Sequence, residues 1–129
     1  MSIDIGMCAE VTRSFSADDV DAYVALGGHR PARSEVPEPL VNALFSYLLG
    51  VKLPGQGTNY LKQETEYCEP ARLGEELTAR VEVTRLRPEK HLVDLATTCI
   101  AAPGRTVCKG RALVLVADVD EAFSAAGDL

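Results

Sequence analysis

Between Pro39 and Gly50 the chain reads Pro-Leu-Val-Asn-Ala-Leu-Phe-Ser-Tyr-Leu-Leu-Gly. A helix that is apolar nearly all the way round has to be enclosed by whatever else the chain builds. Pro39 suits the first helical turn, where its missing N–H is not needed, and Gly50 suits the stop. The run is about a dozen residues long, whereas crossing a bilayer takes about 20, so it is expected inside a protein core. Only Asn42 and Ser46 strongly interrupt the apolar surface. Four residues apart, they share one face, one turn above the other. They either bond back to the helix or a neighbouring strand, or they line a site.

The cover for such a helix is readable downstream. Leu77, Ala79, Val81 and Val83 alternate with Thr78, Arg80, Glu82 and Thr84, which is the period of a half-buried strand over residues 77–86. Further strands are expected over 58–68, 91–101 and 106–116, separated by turns at 70–74, at Pro88-Glu89-Lys90 and at Pro103-Gly104. Long strands joined by short turns imply an antiparallel meander with one dry face, and the apolar helix is the natural cover for it. Upstream, alternation over 10–15 suggests a short strand. Ser16 with Asp19 resembles a capping box opening a helix whose stripe is Val20, Tyr23, Val24 and Leu26, closed by Gly27-Gly28. Residues 29–38 form a loop leading into the apolar helix, and 119–129 form a short surface helix or a frayed tail. The expected architecture is α+β, an antiparallel sheet curled around one helix. Its open edge and partly uncovered helix predict pairing between subunits.

Composition narrows the function classes. The 129 residues suit one domain spanning 1–129. With 47% hydrophobic and 25% charged residues the chain is globular, and a net charge of −6 argues against nucleic acid, which needs a basic stripe. Cys8, Cys68, Cys99 and Cys108 form no C-x-x-C pair, so neither zinc nor a redox motif is expected. The three later cysteines read as buried, reduced strand residues in a cytoplasmic protein. Residues 1–10 lack a basic start and a long apolar run, so no signal peptide is expected, and nothing suggests a membrane partner.

No P-loop, dinucleotide fingerprint or triad-like set is present, and no cofactor is expected. His91 follows a turn and reads as a surface residue. His29 lies in the irregular loop before the apolar helix, where it is a candidate general acid or base. Glu35 and Glu38 are the nearest carboxylates to orient it, and Arg30 and Arg33 are candidate phosphate ligands. The helix N-terminus itself can stabilise an oxygen gaining negative charge. Pro39 removes one donor there, leaving Glu38 or residues from Leu40 onward.

Several stretches resemble the single-domain MaoC-like (R)-specific enoyl-CoA hydratases and related hydroxyacyl-thioester dehydratases of the hot-dog fold. They are Phe15 to Tyr23 with Ala25-Leu26-Gly27-Gly28, then Leu44 to Gly50, then Leu53-Pro54-Gly55-Gln56-Gly57-Thr58-Asn59-Tyr60-Leu61. Pro70, Gly74 to Ala79 and the later strands follow. The Leu-Pro-Gly-x-Gly-x-x-Tyr stretch is the most specific. The resemblance implies a hot-dog domain that dimerises and binds an acyl thioester, as acyl-CoA or on an acyl carrier protein, beside its central helix.

One segment departs from that family. Its catalytic signature, Asp-x-Asn-Pro-x-His, corresponds here to Gly28-His29-Arg30-Pro31-Ala32-Arg33, with residues missing before Val36. The Asp position falls near His29 and the His position near Arg33. The His-Gly pair that opens the family's central helix reads Pro37-Glu38, and Ser46 alone matches the active-site set residue by residue. The expectation is therefore a divergent hydratase or dehydratase with His29 and Glu35 catalytic and Glu38, Asn42, Ser46 and Tyr47 lining the substrate. Tyr47 stands where the family commonly has a small residue and implies a reshaped pocket. The partner expected is a second copy, in a homodimer, or another hot-dog subunit, in a heterodimer; one alternative function is a non-catalytic hot-dog subunit of a heteromeric dehydratase. A second is a hot-dog thioesterase using Glu38 or Glu64.

Overall fold

The computed structural model of the chain describes residues 2–123. Five strands form one antiparallel sheet: β1 (Cys8–Arg13), β2 (Asn59–Tyr67), β3 (Leu77–Arg87), β4 (Leu92–Ala101) and β5 (Arg105–Leu115). Their spatial order is β1-β3-β4-β5-β2. The expected meander is its centre, since β3, β4 and β5 are consecutive in sequence and adjacent in space. A single 3₁₀ turn, Pro88–Lys90, joins β3 to β4, with His91 in the left-handed region at φ 57°. His91 is exposed, as expected. The two outer strands come from the N-terminal half, β1 beside β3 and β2 beside β5.

Helix α1 (Ala17–Ala25) opens with the predicted capping box. The Ser16 hydroxyl accepts from the Asp19 N–H, and the Asp19 carboxylate accepts from the Ser16 N–H at 2.9 Å. The helix stops at Gly27, whose φ of +107° favours glycine. Val20 is buried, but Leu26 is not part of the stripe. It caps the helix and is 91% exposed.

Helix α2 (Glu38–Tyr47) crosses the inner face of the sheet. Val41, Leu44 and Phe45 on α2 and Leu48 and Leu49 just beyond it are buried in the same cluster as Leu77, Ala79, Val81 and Val83 of β3 and Val93 and Leu95 of β4. Each large side chain so buried contributes about 1.5–3 kcal/mol. The helix is partly uncovered in the single chain, as its single sheet implies and against burial on every side: Pro39, Ala43, Ser46 and Tyr47 are exposed. One expectation is corrected: Gly50 does not stop it. The chain continues as a π-helical turn over Leu48–Lys52 and ends at Leu53, which precedes Pro54.

Three β-bulges interrupt the ladders, at Leu61 in β2, Thr84 in β3 and Val107 in β5. Each inserts one residue and reverses which side chains face α2. Cys99 and Cys108 are buried as expected, whereas Cys68 is exposed because β2 ends at Tyr67. In the tail, Ala122 is buried and Phe123 packs on the core; residues 124–129 of the expected terminal segment lie outside the described residues.

Candidate functional site

The N-terminal end of α2 opens on a cleft of about 450 Å³. Glu35, Val36, Glu38 and Val41 form one wall, and Tyr67, Cys68, Glu69 and Val107 the other. The first wall is held by backbone pairing with the turn before β3. The Val36 N–H donates to Ala71 O at 2.7 Å, the Leu73 N–H donates to Ser34 O at 2.9 Å, and Glu35 pairs with Arg72. The second wall is set by the Val107 bulge, whose carbonyl accepts from the Cys68 N–H at 2.8 Å and turns the chain out of β2. The Tyr67 hydroxyl closes the cleft floor by donating to Glu38 O at 3.2 Å.

The helix end offers few amide donors. Pro37 and Pro39 have none, and the Leu40 N–H donates to Pro37 O at 3.0 Å. The Glu38 N–H is therefore the free amide of the first turn, at the end of the helix that borders a cleft also lined by Glu35 and Glu69. Burial pushes the Tyr67 phenol up to about 12, with the neighbouring Cys108 and Glu38 adding to the shift, so it stays a neutral donor. The Cys99 thiol and burial push Cys108 upward, away from nucleophilic range.

The structure separates the residues expected together. Glu35, half-buried, and Glu38 both line the cleft. His29 is exposed and is not among the lining residues. The chain there folds back on α1, where Arg30 pairs with Asp21 at 2.7 Å. Asn42 points to β2, bonding Gln63 and Thr65. Ser46 and Tyr47 lie on the open side of α2. Glu64 is on the outer face of β2, paired with Lys62 and Arg111. Sequence reasoning missed Tyr67, Cys68, Glu69 and Val107. Tyr67 had a signal, since it alternates with the exposed Glu64 and Glu66. Val107 had none, because its position depends on the bulge.

No protein-family model matches the chain. Among characterised proteins, the (R)-specific enoyl-CoA hydratase of Aeromonas caviae is 35% identical over 127 aligned positions, covering 88% of this chain and 95% of that protein. The 3-hydroxybutyryl-CoA dehydratase of Methylorubrum extorquens is 30% identical, covering 93% and 85%. The solved structure of the A. caviae (R)-hydratase involved in PHA biosynthesis superposes with a TM-score of 0.82 at 34% identity, covering 88% of this chain and 96% of that one. Since 127 aligned positions exceed 88% of 129 residues, about 13 positions of the A. caviae protein lack a counterpart here. With sequence likeness and the helix-on-sheet architecture in agreement, the chain belongs to the (R)-specific enoyl-CoA hydratase family of MaoC-like hot-dog proteins.

Proposed function

We propose that the chain binds an acyl thioester, presented by coenzyme A or an acyl carrier protein, in the cleft at the N-terminal end of α2. There it acts as an enoyl-thioester hydratase or 3-hydroxyacyl-thioester dehydratase with an altered acid–base set. The observation that carries this is the 35% identity across 88% of the chain to an enzyme named for that reaction. In hydration, water adds its hydroxyl to Cβ and a proton goes to Cα. Glu35, half-buried in the cleft wall, is the group to take the water proton and return it. The Glu38 N–H faces the thioester carbonyl. The test is hydration of crotonyl-CoA by the purified chain. Glu35→Gln should lower turnover by about 10²–10³-fold, and His29→Ala should leave it near wild type. Equal turnover of Glu35→Gln and the parent would remove Glu35 from the reaction.

A second reading, a non-catalytic subunit beside an intact one, is favoured by a specific observation. About 13 positions of the relative are absent, and His29 stands outside the cleft lining. It predicts no turnover by the chain alone and an altered acyl-length profile when it is mixed with a hot-dog partner carrying the complete motif. Pairing is supported by the free edge of β2 and by the exposed Tyr47, Val51 and Leu61, which lie on α2, the following turn and β2. The partner in this proposal is a second hot-dog chain, its own copy or a homologue. Four free thiols suit the reducing cytoplasm.

A further inference from the structure

The outer face of the sheet, away from α2, holds a concavity of about 260 Å³ walled by Lys62, Arg85, Arg87 and Arg111. Two bulges bring these cations together. The inward alternation of Leu77, Ala79, Val81 and Val83 would carry Arg85 and Arg87 inward as well. The bulge at Thr84 reverses the phase, so Arg85 aligns with Asp94 and Arg87 with Leu92, while Leu86 turns to the core. The bulge at Leu61 likewise aligns Lys62 with Leu113. Register then lays Arg85, Asp94, Leu113 and Lys62 in one row across four strands.

The local charge does not balance. Glu64 is shared by Lys62 at 3.3 Å and Arg111 at 3.4 Å. Asp94, its side chain only 14% exposed, takes Arg87 at 2.8 Å. Two carboxylates thus face four cations, on a chain whose net charge is −6. Arg87 is held in place by Asp94, and its Nε is buried without a partner. Leu113, half-buried, provides an apolar floor between the charged rims.

We propose that this concavity binds a small phosphate-bearing anion, its phosphates met by Lys62, Arg85 and Arg111 and any attached base lying on Leu113. Excess cations around a recessed apolar floor recognise that chemistry. The proposal stands apart from the acyl-thioester reading, because the concavity is on the opposite face of the sheet from the α2 cleft. Two sources share the chemistry, the phosphate end of a nucleotide cofactor and free polyphosphate.

The experiment is calorimetric titration of the full chain at low ionic strength with adenosine 3′,5′-bisphosphate, pyrophosphate and adenosine. Both phosphates should bind and adenosine should not, with affinity falling as salt is added. The double variant Lys62→Glu/Arg85→Glu should weaken phosphate binding by about tenfold or more, and Lys52→Glu, in the turn after α2, should not. Should the charge reversal unfold the chain, Lys62→Gln/Arg85→Gln serves in its place with the same expected direction. Tighter binding of the bisphosphate than of pyrophosphate identifies the nucleotide source, and equal binding the free phosphate. The proposal is overturned by no binding of either phosphate, by undiminished binding in the double variants, or by an acidic carrier protein docking on this face while neither phosphate binds.

Discussion

Asn42 of α2 and Gln63 of β2 are joined amide to amide: Nδ2 of Asn42 donates to Oε1 of Gln63 at 2.6 Å, and Nε2 of Gln63 donates back to Oδ1 of Asn42. Thr65 joins them, its hydroxyl accepting from Nε2 of Gln63 at 2.9 Å. This polar clasp ties the helix to the edge strand in a region otherwise held by apolar contact. Asn42→Ala leaves the half-buried Gln63 amide bonded to Thr65 alone, its Oε1 without a partner, and should cost about 1–2 kcal/mol. Adding Gln63→Ala should cost less than Gln63→Ala alone in the parent, with a coupling of about 0.5 kcal/mol or more. Urea denaturation of the four proteins measures it, and strict additivity would show that the pair is not coupled.

Two glycines should respond oppositely to alanine. A Cβ at Gly110 would run into the backbone carbonyl of Glu64 on the neighbouring strand, so Gly110→Ala should destabilise by about 2 kcal/mol or more. Gly50, in the turn after α2, has open space around it and needs no left-handed backbone, so Gly50→Ala should stabilise by about 0.5–1 kcal/mol. Denaturation midpoints of the two variants against the parent decide both.

The Arg105–Glu75 ion pair should contribute to acid sensitivity. The Arg105 guanidinium, aided by the Arg72 N–H, holds the Glu75 carboxyl below its ordinary value of 4.5. A carboxylate depressed in the folded state adds stability that is full above 4.5 and fades as pH falls through the lowered folded value. Glu75→Gln should therefore be less stable than the parent near neutrality, with the gap closing in acid. A gap that persists unchanged to about pH 2 would assign the loss to packing instead.

Subunit pairing can be tested on the open side of α2. Tyr47 is 43% exposed, Leu61 53% and Val51 61% in the single chain. The parent should sediment as a dimer and a Tyr47→Glu/Leu61→Glu variant as a monomer at the same concentration, because a charge buried at an apolar contact costs several times what the lost contact does. Identical sedimentation of the two would place the interface elsewhere.

Much of this arrangement is legible before any coordinates. The meander follows from strict alternation at Leu77 to Val83 and from proline- and glycine-bearing turns, both local signals. Ser16 and Asp19 likewise announce their helix through contacts three residues apart. What the sequence conceals is set by distant pairing. The bulges at Leu61, Thr84 and Val107 each break the alternation, so Val107 enters the cleft and Arg85 leaves the core with no local warning. The Pro39–Gly50 run is apolar all round, yet in the single chain one side remains open, because periodicity reports what must be covered and not which chain covers it. His29 is exposed and outside the lining of the α2 cleft, in a loop where Arg30 pairs with Asp21 on α1, a placement that long-range folding and not local sequence decides.

The strand order carries a consequence for biosynthesis. The helix and both outer strands are translated before the three central strands exist, and those central strands are the platform on which each of them rests. The apolar helix therefore leaves the ribosome before the strands it packs on, with Leu44, Phe45, Leu48 and Leu49 lacking their platform until residues near 115 have emerged. During that interval its apolar face stays uncovered, and the final hairpin completes the sheet on which it packs.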